Sequence, residues 1–412
     1  MPWKETCAVE QRLEFIRDVL RGDLSKAELC RGYGISRPTG DKWIERFVEH
    51  GMDGLSDLPS IPHHHRNQVP DELAAMLLAL RREHMTWGPK KLKAYLERKY
   101  PAMKWPWPST IGQLLRNHGI SVGRIRRHRT PPYTEPFAGC GQPNTTWCGD
   151  FKGQFRTGSS MCYPLTITDA FSRYLLRCQG MPRPHMEPTK SIFESAFREY
   201  GLPLAIRSDN GTPFASNAIG GLSRLSIWWI RLGIVPERIE PGHPEQNGRH
   251  ERMHLTLKNE TASPSRPSLR SQQQRFNAFR QEYNTQRPHE ALDQRTPADA
   301  YQASPRPYPS RLPEPQYDAD TTVRYVHNNG EVTWRGRRLY LGGVLGGQHV
   351  GLKEVSDGYW LVSLCQMPLG VLDDGRRKVC DLESAKRHGW VPATALPSPF
   401  RCAPGTGQSM NV

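Results

Sequence analysis

The chain has 412 residues, with 56 Lys and Arg against 41 Asp and Glu and a formal net charge of +15. This length predicts several domains, and no apolar run approaches the roughly 18 residues that a membrane helix needs. The N-terminal residues include Glu5 and Glu10 and lack an apolar stretch, so no secretory signal is predicted. The nine cysteines form no C-x-x-C pair and give no sign of a zinc knuckle or a disulfide framework. A cytoplasmic protein without membrane contact is expected.

The positive charge is spread along the whole chain. Residues 1–135, 136–320 and 321–412 each hold more basic than acidic side chains, which suits a polyanionic partner such as nucleic acid. A solubilising surface is the alternative. The densest basic run precedes a pair of prolines and consists of Arg124, Arg126, Arg127 and Arg129. Such an arm typically follows phosphates or enters a minor groove, so these four side chains are predicted to contact DNA.

Residues 1–58 predict a helix-turn-helix DNA-binding domain. Ser25-Lys26-Ala27-Glu28 has the form of a capping box, and Ser36 can cap the helix after the next glycine-containing turn. Arg37 and Thr39 begin that helix and are predicted to read DNA bases, since recognition helices do so with their first residues. A plain three-helix bundle is the alternative.

Residues 66–130 predict a second helix-turn-helix unit, which includes the arginine-rich arm. Trp87-Gly88-Pro89 opens a lysine-rich helix, and Ser109-Thr110 can cap a further helix that ends before Gly119. The lysines of the first of these helices fit a solvated surface equally well. A packing unit without DNA contact therefore stays open.

Residues 136–302 change to an α/β pattern. Leu165–Thr168 and Arg173–Leu176 predict paired strands, Thr189–Gly201 predicts an amphipathic helix, and Leu204–Arg207 predicts another strand. Strands, helix and strand in this order indicate a layered α/β domain.

Residues 320–376 predict a small β-barrel-like domain, because short β segments alternate with turns at Asn329-Gly330 and Asp357-Gly358. Residues 392–412 predict a disordered tail. The His63-His64-His65 run lies in a proline-rich stretch and is predicted to belong to a linker rather than to a metal site.

Three carboxylates stand apart from the others in the α/β region. Asp150 lies in an alternating strand-like stretch, Asp209 follows a short strand in Ser208-Asp209-Asn210-Gly211, and Glu251 lies in the first turns of a predicted helix. Hard divalent cations such as Mg²⁺ are bound by a few carboxylates together with phosphate oxygens and water. Two such ions about 3.5–4 Å apart activate the attacking oxygen and stabilise the leaving one in phosphodiester chemistry.

Three segments carry a resemblance to a known family: Trp147–Phe155, the Ser208–Gly211 turn, and Gly242–Arg252 with the sequence GHPEQNGRHER. Together they resemble the catalytic core of insertion-sequence DDE transposases, which belong to the retroviral-integrase superfamily and have an RNase H-like fold. Tyr283–Leu292 resembles the end of that core, so the match spans about residues 140–300. The expected fold is therefore an α/β RNase H-like catalytic core, preceded by all-α helix-turn-helix units and followed by the small β domain.

The resemblance implies a polynucleotidyl transferase that binds the terminal inverted repeats of its element, cleaves the 3′ ends and transfers them into target DNA. It implies Asp150, Asp209 and Glu251 as catalytic ligands of two Mg²⁺ or Mn²⁺ ions, with Lys258 and Arg252 contacting DNA. It also implies double-stranded DNA as partner, a homo-oligomer on that DNA, and a bacterial cytoplasmic location at the nucleoid. The alternatives are a DNA-binding regulator with an inert integrase-like domain and an RNase H-like nuclease without strand transfer.

The position of the glutamate departs from the family pattern. Between Asp209 and Glu251 lie 41 residues, and the shorter spacing of the family would select Glu245. Pro244, Asn247 and Gly248 make the surroundings of Glu245 a poor helix interior, whereas Glu251 opens a run of good helix formers. Lys258 also follows Glu251 by two helical turns, which places both on one face. Glu251 is therefore the predicted third carboxylate.

Overall fold

The computed structural model describes residues 7–58, 69–121, 140–158, 160–216, 218–239 and 248–391. The chain divides into two compact units, residues 1–70 and 71–412, and each is described by itself. Four features of the sequence lie outside the described residues: the arm from Arg124 to Arg129, Glu245, the His63–His65 run and the tail 392–412. Among the helices that are described, none is both long and apolar enough to cross a membrane.

The first unit has three helices, α1 (Ala8–Arg21), α2 (Lys26–Gly32) and α3 (Arg37–His50), followed by a short 3₁₀ turn. The predicted caps are present. Ser25 and Glu28 form the capping box of α2, and Ser36 Oγ accepts a hydrogen bond from the backbone N–H of Thr39 at the start of α3. Gly40 allows α3 to approach its neighbours closely, because a Cβ at that position would lie 2.7 Å from Cys30 Sγ.

The second unit begins with three more helices, α4 (Asp71–Glu83), α5 (Pro89–Lys99) and α6 (Pro108–Asn117). Their shared core contains Leu77, Trp87, Leu92 and Ile111. Helix α6 begins before the expected caps Ser109 and Thr110, which lie in its first turn, with Trp107 at the N-cap position and Pro108 as its first residue. Proline is well placed there because its missing N–H has no helical partner to lose.

The α/β layer that follows confirms the predicted class of this region. Its strands are β1 (Thr146–Phe151), β2 (Phe155–Thr157), β3 (Ser160–Asp169), β4 (Leu175–Met181), β5 (Ala205–Ser208) and β6 (Val235–Arg238). Strand β3 pairs antiparallel with β1, β2 and β4, whereas β5 is parallel to both β1 and β6. The sheet order is β2-β3-β1-β5-β6, with β4 also on β3.

Helices cover the sheet. They are α7 (Met186–Tyr200), α8 (Arg224–Arg231), α9 (Gly248–Leu257), α10 (Leu269–Thr285) and the short α11 (Pro297–Ala300), with a π-helical segment at Lys258–Ala262 between α9 and α10. Phe193 of α7 and Trp229 of α8 are fully buried against Trp147 of β1 in one core. Gly149 makes this contact possible, because a Cβ there would lie 2.8 Å from Phe193 Cζ.

The C-terminal region holds β7 (Thr322–Tyr325), β8 (Glu331–Trp334), β9 (Arg337–Tyr340), β10 (His349–Ser356), β11 (Tyr359–Leu364), β12 (Met367–Asp373), β13 (Lys378–Cys380) and helix α12 (Leu382–Arg387). The predicted β-barrel-like closure is not confirmed. Five strands form an open sheet in the order β13-β12-β11-β10-β7, and β8 and β9 form a separate hairpin. The predicted β content of this region is correct, but its edge strands β7 and β13 stay apart.

Candidate active site

Strand pairing brings Asp150 and Asp209 together at the carboxyl ends of strands β1 and β5. Gly149 of β1 is the register partner of Ser208 of β5. The two strands run parallel, so the residues that follow this pair, Asp150 and Asp209, lie side by side. Both carboxylates are partly buried. Asp209 Oδ1 also accepts a hydrogen bond of 3.1 Å from the backbone N–H of Gly211, which holds the Asp-Asn-Gly turn.

Glu251 approaches these strand ends from helix α9. The helix packs on the sheet through Met253 and Leu257, which are buried in one cluster with residues of β3, β4 and α10. Glu251 itself is exposed on the solvent side of that contact. The charges of Asp209 and Glu251 both act on Asp150, so each of these two carboxylates lies within electrostatic range of Asp150.

Burial and neighbouring charges change the acidity of Asp150. Burial, followed by repulsion from the Asp209 carboxylate, raises the pKa of Asp150 to about 7, and Glu251 adds to this rise. Burial also raises the pKa of Asp209. Carboxylates that repel one another favour a cation between them, and carboxylate oxygens suit Mg²⁺ or Mn²⁺.

Comparison with known families agrees with this architecture. Residues 141–244 and 232–297 match models of an integrase core domain. Residues 11–63 match a helix-turn-helix domain, and residues 39–115 match a homeodomain-like domain. The family matches therefore cover both the helical regions and the α/β layer with its three carboxylates.

Several insertion-element proteins are similar to the chain. An uncharacterized 31.7 kDa protein of insertion element IS407 from Burkholderia multivorans is 28% identical over 282 residues, which cover 67% of this chain and 90% of that protein. An uncharacterized 39.2 kDa protein of IS476 from Xanthomonas euvesicatoria is 25% identical, over 71% of this chain and 78% of that protein. The transposase of IS904 from Lactococcus lactis is 26% identical over 38% of this chain and 61% of that protein. The chain is an insertion-sequence transposase homologue with an integrase-type core.

Among solved structures, the catalytic core domain of HTLV-2 integrase in complex with magnesium has 19% sequence identity and a TM-score of 0.32. The match covers 39% of this chain and 99% of that domain.

Two histidines of α9 were missed by the sequence analysis. Within the described ranges, Asp150, His250 and His254 are a group whose ligand atoms all lie within 4.8 Å of one another, and His254 Nδ1 lies 3.8 Å from Asp150 Oδ2. Burial lowers the pKa of His250 to about 3 and also lowers that of His254, so both rings are neutral. The i, i+4 spacing of the two histidines in RHERMH was the available signal, since it places both rings on one helical face.

Helix α9 and the segment after it carry the other residues predicted in the core. Arg252 and Lys258 are both exposed, and Lys258 opens the π-helical segment that follows α9. Glu260 of the same segment forms a partly buried ion pair with Arg287 and accepts a hydrogen bond from Thr86 of the second helical region. This contact fixes the segment that carries Lys258 against its neighbours.

Residues predicted to read DNA in the first unit lie at the start of α3. Arg37 is exposed, whereas Thr39 is partly buried and its Oγ1 lies 2.8 Å from Ser36 Oγ. Thr39 therefore shares in capping the helix, and its hydroxyl is engaged locally. The four arginines of the arm lie outside the described residues.

Asp169 and the tryptophan pair Trp228 and Trp229 have structural roles. Asp169 is 1% exposed, and its carboxylate accepts hydrogen bonds from Asn144 and Ser172 to hold the turn after β3. Trp228 and Trp229 of α8 are buried in the core.

Proposed function

We propose that this chain is a DNA transposase. It would bind the terminal inverted repeats of its insertion sequence, cleave the 3′ ends and transfer them into target DNA. The observation that carries the proposal is the placement of Asp150, Asp209 and Glu251 within an integrase core, where burial, followed by the charges of Asp209 and Glu251, raises the pKa of Asp150 to about 7. Such an assembly favours an enzyme over a regulator with an inert domain, because like charges gathered without a cation destabilise the fold.

Asp150, Asp209 and Glu251 would hold two divalent cations, Mg²⁺ or Mn²⁺. Bound there, the cations would activate the attacking oxygen and neutralise charge on the leaving oxygen. In cleavage the nucleophile is water and the scissile P–O3′ bond breaks, which frees a 3′-OH. In joining, that 3′-OH attacks a target phosphate and displaces a 3′ oxygen of the target strand. Each reaction is one phosphoryl transfer and needs no other co-reactant.

The remaining parts of the chain would deliver DNA to this site. The proposed units are helix-turn-helix domains at 1–58 and 66–130, a catalytic core at 136–302 and a small β domain at 320–376. Two element ends must meet for transposition, so a homo-oligomer on DNA is part of the proposal. Its proposed place is the bacterial cytoplasm, at the nucleoid.

A cleavage and joining assay tests the proposed function. The full-length chain is incubated with duplexes that carry the flanking ends of its own element, with Mg²⁺ and a supercoiled target plasmid. Specific 3′ nicks and joined products are expected, and neither should form with EDTA. Tight end binding without any nick in Mg²⁺ or Mn²⁺ would favour the regulator instead.

Arg37→Ala with Thr39→Ala is expected to relax sequence preference in end binding, because both residues begin the proposed recognition helix. Arg126→Ala with Arg127→Ala should weaken binding to all sequences alike. It should also make binding less sensitive to salt, by about 0.9 in log affinity per decade of salt for each phosphate that these arginines neutralise. Salt titrations of specific and random duplexes measure both effects. Equal discrimination by a chain lacking residues 1–60 would contradict the assignment of the first helix-turn-helix.

Lys258→Ala is expected to weaken binding of the reacting DNA end and slow joining, with the Mg²⁺ dependence left as in the wild type. The exposed ammonium is a compact charge that can approach a phosphate beside the carboxylates. Lys258→Arg, which keeps the charge, should recover part of the binding. If the alanine variant cleaves and joins DNA at wild-type rates, at low and moderate salt, Lys258 is a solvated surface residue without a role in DNA binding.

A further inference from the structure

A buried hydrogen-bond network joins the helix that carries Glu251 to strand β3. Thr166 Oγ1 lies 2.8 Å from His250 Nε2 and 2.7 Å from His254 Nε2. Thr168 Oγ1 lies 2.8 Å from His250 Nδ1. These four residues are at most 6% exposed, so water cannot replace the bonds they make with one another.

The same threonine is tied to Asp150. Thr166 is the register partner of Asp150 across the β1–β3 ladder, and its hydroxyl lies 3.2 Å from the Asp150 carbonyl oxygen. A threonine hydroxyl donates once and accepts twice. It can therefore donate to Asp150 while it accepts from the Nε2–H groups of His250 and His254. One hydroxyl thus serves as a common anchor for the strand of Asp150 and the helix of Glu251.

Apolar packing alone would not fix this helix. Met253 and Leu257 bury against the sheet, but hydrophobic contact is non-directional. A rotation or a slide of α9 would leave the His250 and Thr166 side chains unpaired in a buried place, which is costly because buried polar groups lose their hydrogen bonds to water. Because Glu251 follows His250 directly, a fixed His250 ring also fixes the direction in which the Glu251 side chain leaves the helix.

We propose that Thr166, together with His250, His254 and Thr168, positions Glu251 relative to Asp150 and thereby sets the affinity of the carboxylate site for its divalent cation. The inference rests on the proposed function of that site. It makes these four polar residues positioning residues. The ligands stay the three carboxylates.

Thr166→Val tests the proposal in the full-length protein, since valine has nearly the shape of threonine and lacks the hydroxyl. Mn²⁺ binding is followed by electron paramagnetic resonance, with Asp150→Asn as the background. Cleavage is measured as a function of Mn²⁺ concentration. We expect Thr166→Val to bind Mn²⁺ about 10-fold more weakly. It should also need correspondingly more Mn²⁺ for half-maximal cleavage, with a smaller fall in the rate at saturation.

Matched variants separate positioning from folding. Thr166→Ser keeps the hydroxyl and should bind Mn²⁺ as the wild type does. Thr157→Val removes another buried threonine hydroxyl, which donates to Ser160 O in the β2–β3 hairpin. It should lower stability without changing Mn²⁺ affinity. Thr168→Val should shift Mn²⁺ affinity in the same direction as Thr166→Val, and it carries the test if Thr166→Val does not fold.

Failure of the proposed function and failure of the positioning role give different results. If the wild-type protein binds Mn²⁺ no better than Asp150→Asn does, the proposed function falls and this inference falls with it. If the wild type binds Mn²⁺ and folded Thr166→Val and Thr168→Val bind it equally well, only the positioning role is overturned. A fall in affinity in Thr157→Val as large as that in Thr166→Val would also overturn it.

Discussion

Asp150→Asn, Asp209→Asn and Glu251→Gln are each expected to abolish cleavage of element-end DNA while leaving end binding nearly unchanged. Each amide has the shape of the acid it replaces and lacks its charge, so the cation site is lost and the DNA-binding helices are untouched. Bound divalent cations contribute several kcal/mol of charge stabilisation, and each 1.36 kcal/mol is tenfold in rate, so a loss of about 1,000-fold or more is expected. Nicking of a labelled duplex in Mg²⁺ measures the rate, and a mobility-shift titration measures binding.

Glu245→Gln is the control for this series. It stands six residues before Glu251 in the chain, and its effect on cleavage should be mild. If Glu245→Gln abolishes cleavage and Glu251→Gln does not, the third carboxylate is wrongly assigned. Wild-type cleavage by either aspartate variant would remove that aspartate from the site.

The placement of the two aspartates could be predicted because it depends on local patterns. An alternating stretch at Trp147–Phe151 and a short apolar run before Asp209 each predict a strand, and both strands are present as β1 and β5. The capping residues of the first helices followed from the same kind of local signal. The argument for Glu251 was also local, since proline and glycine make the sequence around Glu245 a poor helix interior.

The histidine network and the shape of the C-terminal sheet could not be predicted. His250 meets Thr166 across 84 positions of sequence, and helical periodicity indicates only that His250 and His254 share a face. In the C-terminal region the turns at Asn329-Gly330 and Asp357-Gly358 were visible. Whether strands close into a barrel depends instead on pairing between β7 and β13, which are far apart in the chain. Long-range pairing has no local signature that would have revealed either feature.

Without metal, Asp150→Asn is expected to gain stability relative to the wild type as the pH rises from 4 to 8. Burial and the charge of Asp209 raise the pKa of Asp150 from its ordinary 3.8 to about 7. A carboxyl group with a raised pKa in the folded state binds its proton more tightly there than in the unfolded chain. Its contribution to stability is full below pH 3.8 and is lost as the pH rises through 7. The amide carries no such proton, so the variant does not lose this contribution.

The difference in free energy of unfolding between Asp150→Asn and the wild type has a pH-dependent part. Only that part reports on the Asp150 proton, because the packing of the amide does not vary with pH. At 1.36 kcal/mol for each unit of pKa, the wild type should lose at most about 4 kcal/mol relative to Asp150→Asn over this range. Urea unfolding in EDTA at a series of pH values measures the free energy of unfolding of both proteins. Added Mg²⁺ should raise the free energy of unfolding of the wild type at pH 8, because it neutralises the carboxylate charges. It should raise that of the variant less. A constant difference from pH 4 to pH 8 would mean that folding does not raise the pKa of Asp150, and that neither burial nor the neighbouring carboxylates disfavour its charge as their placement requires.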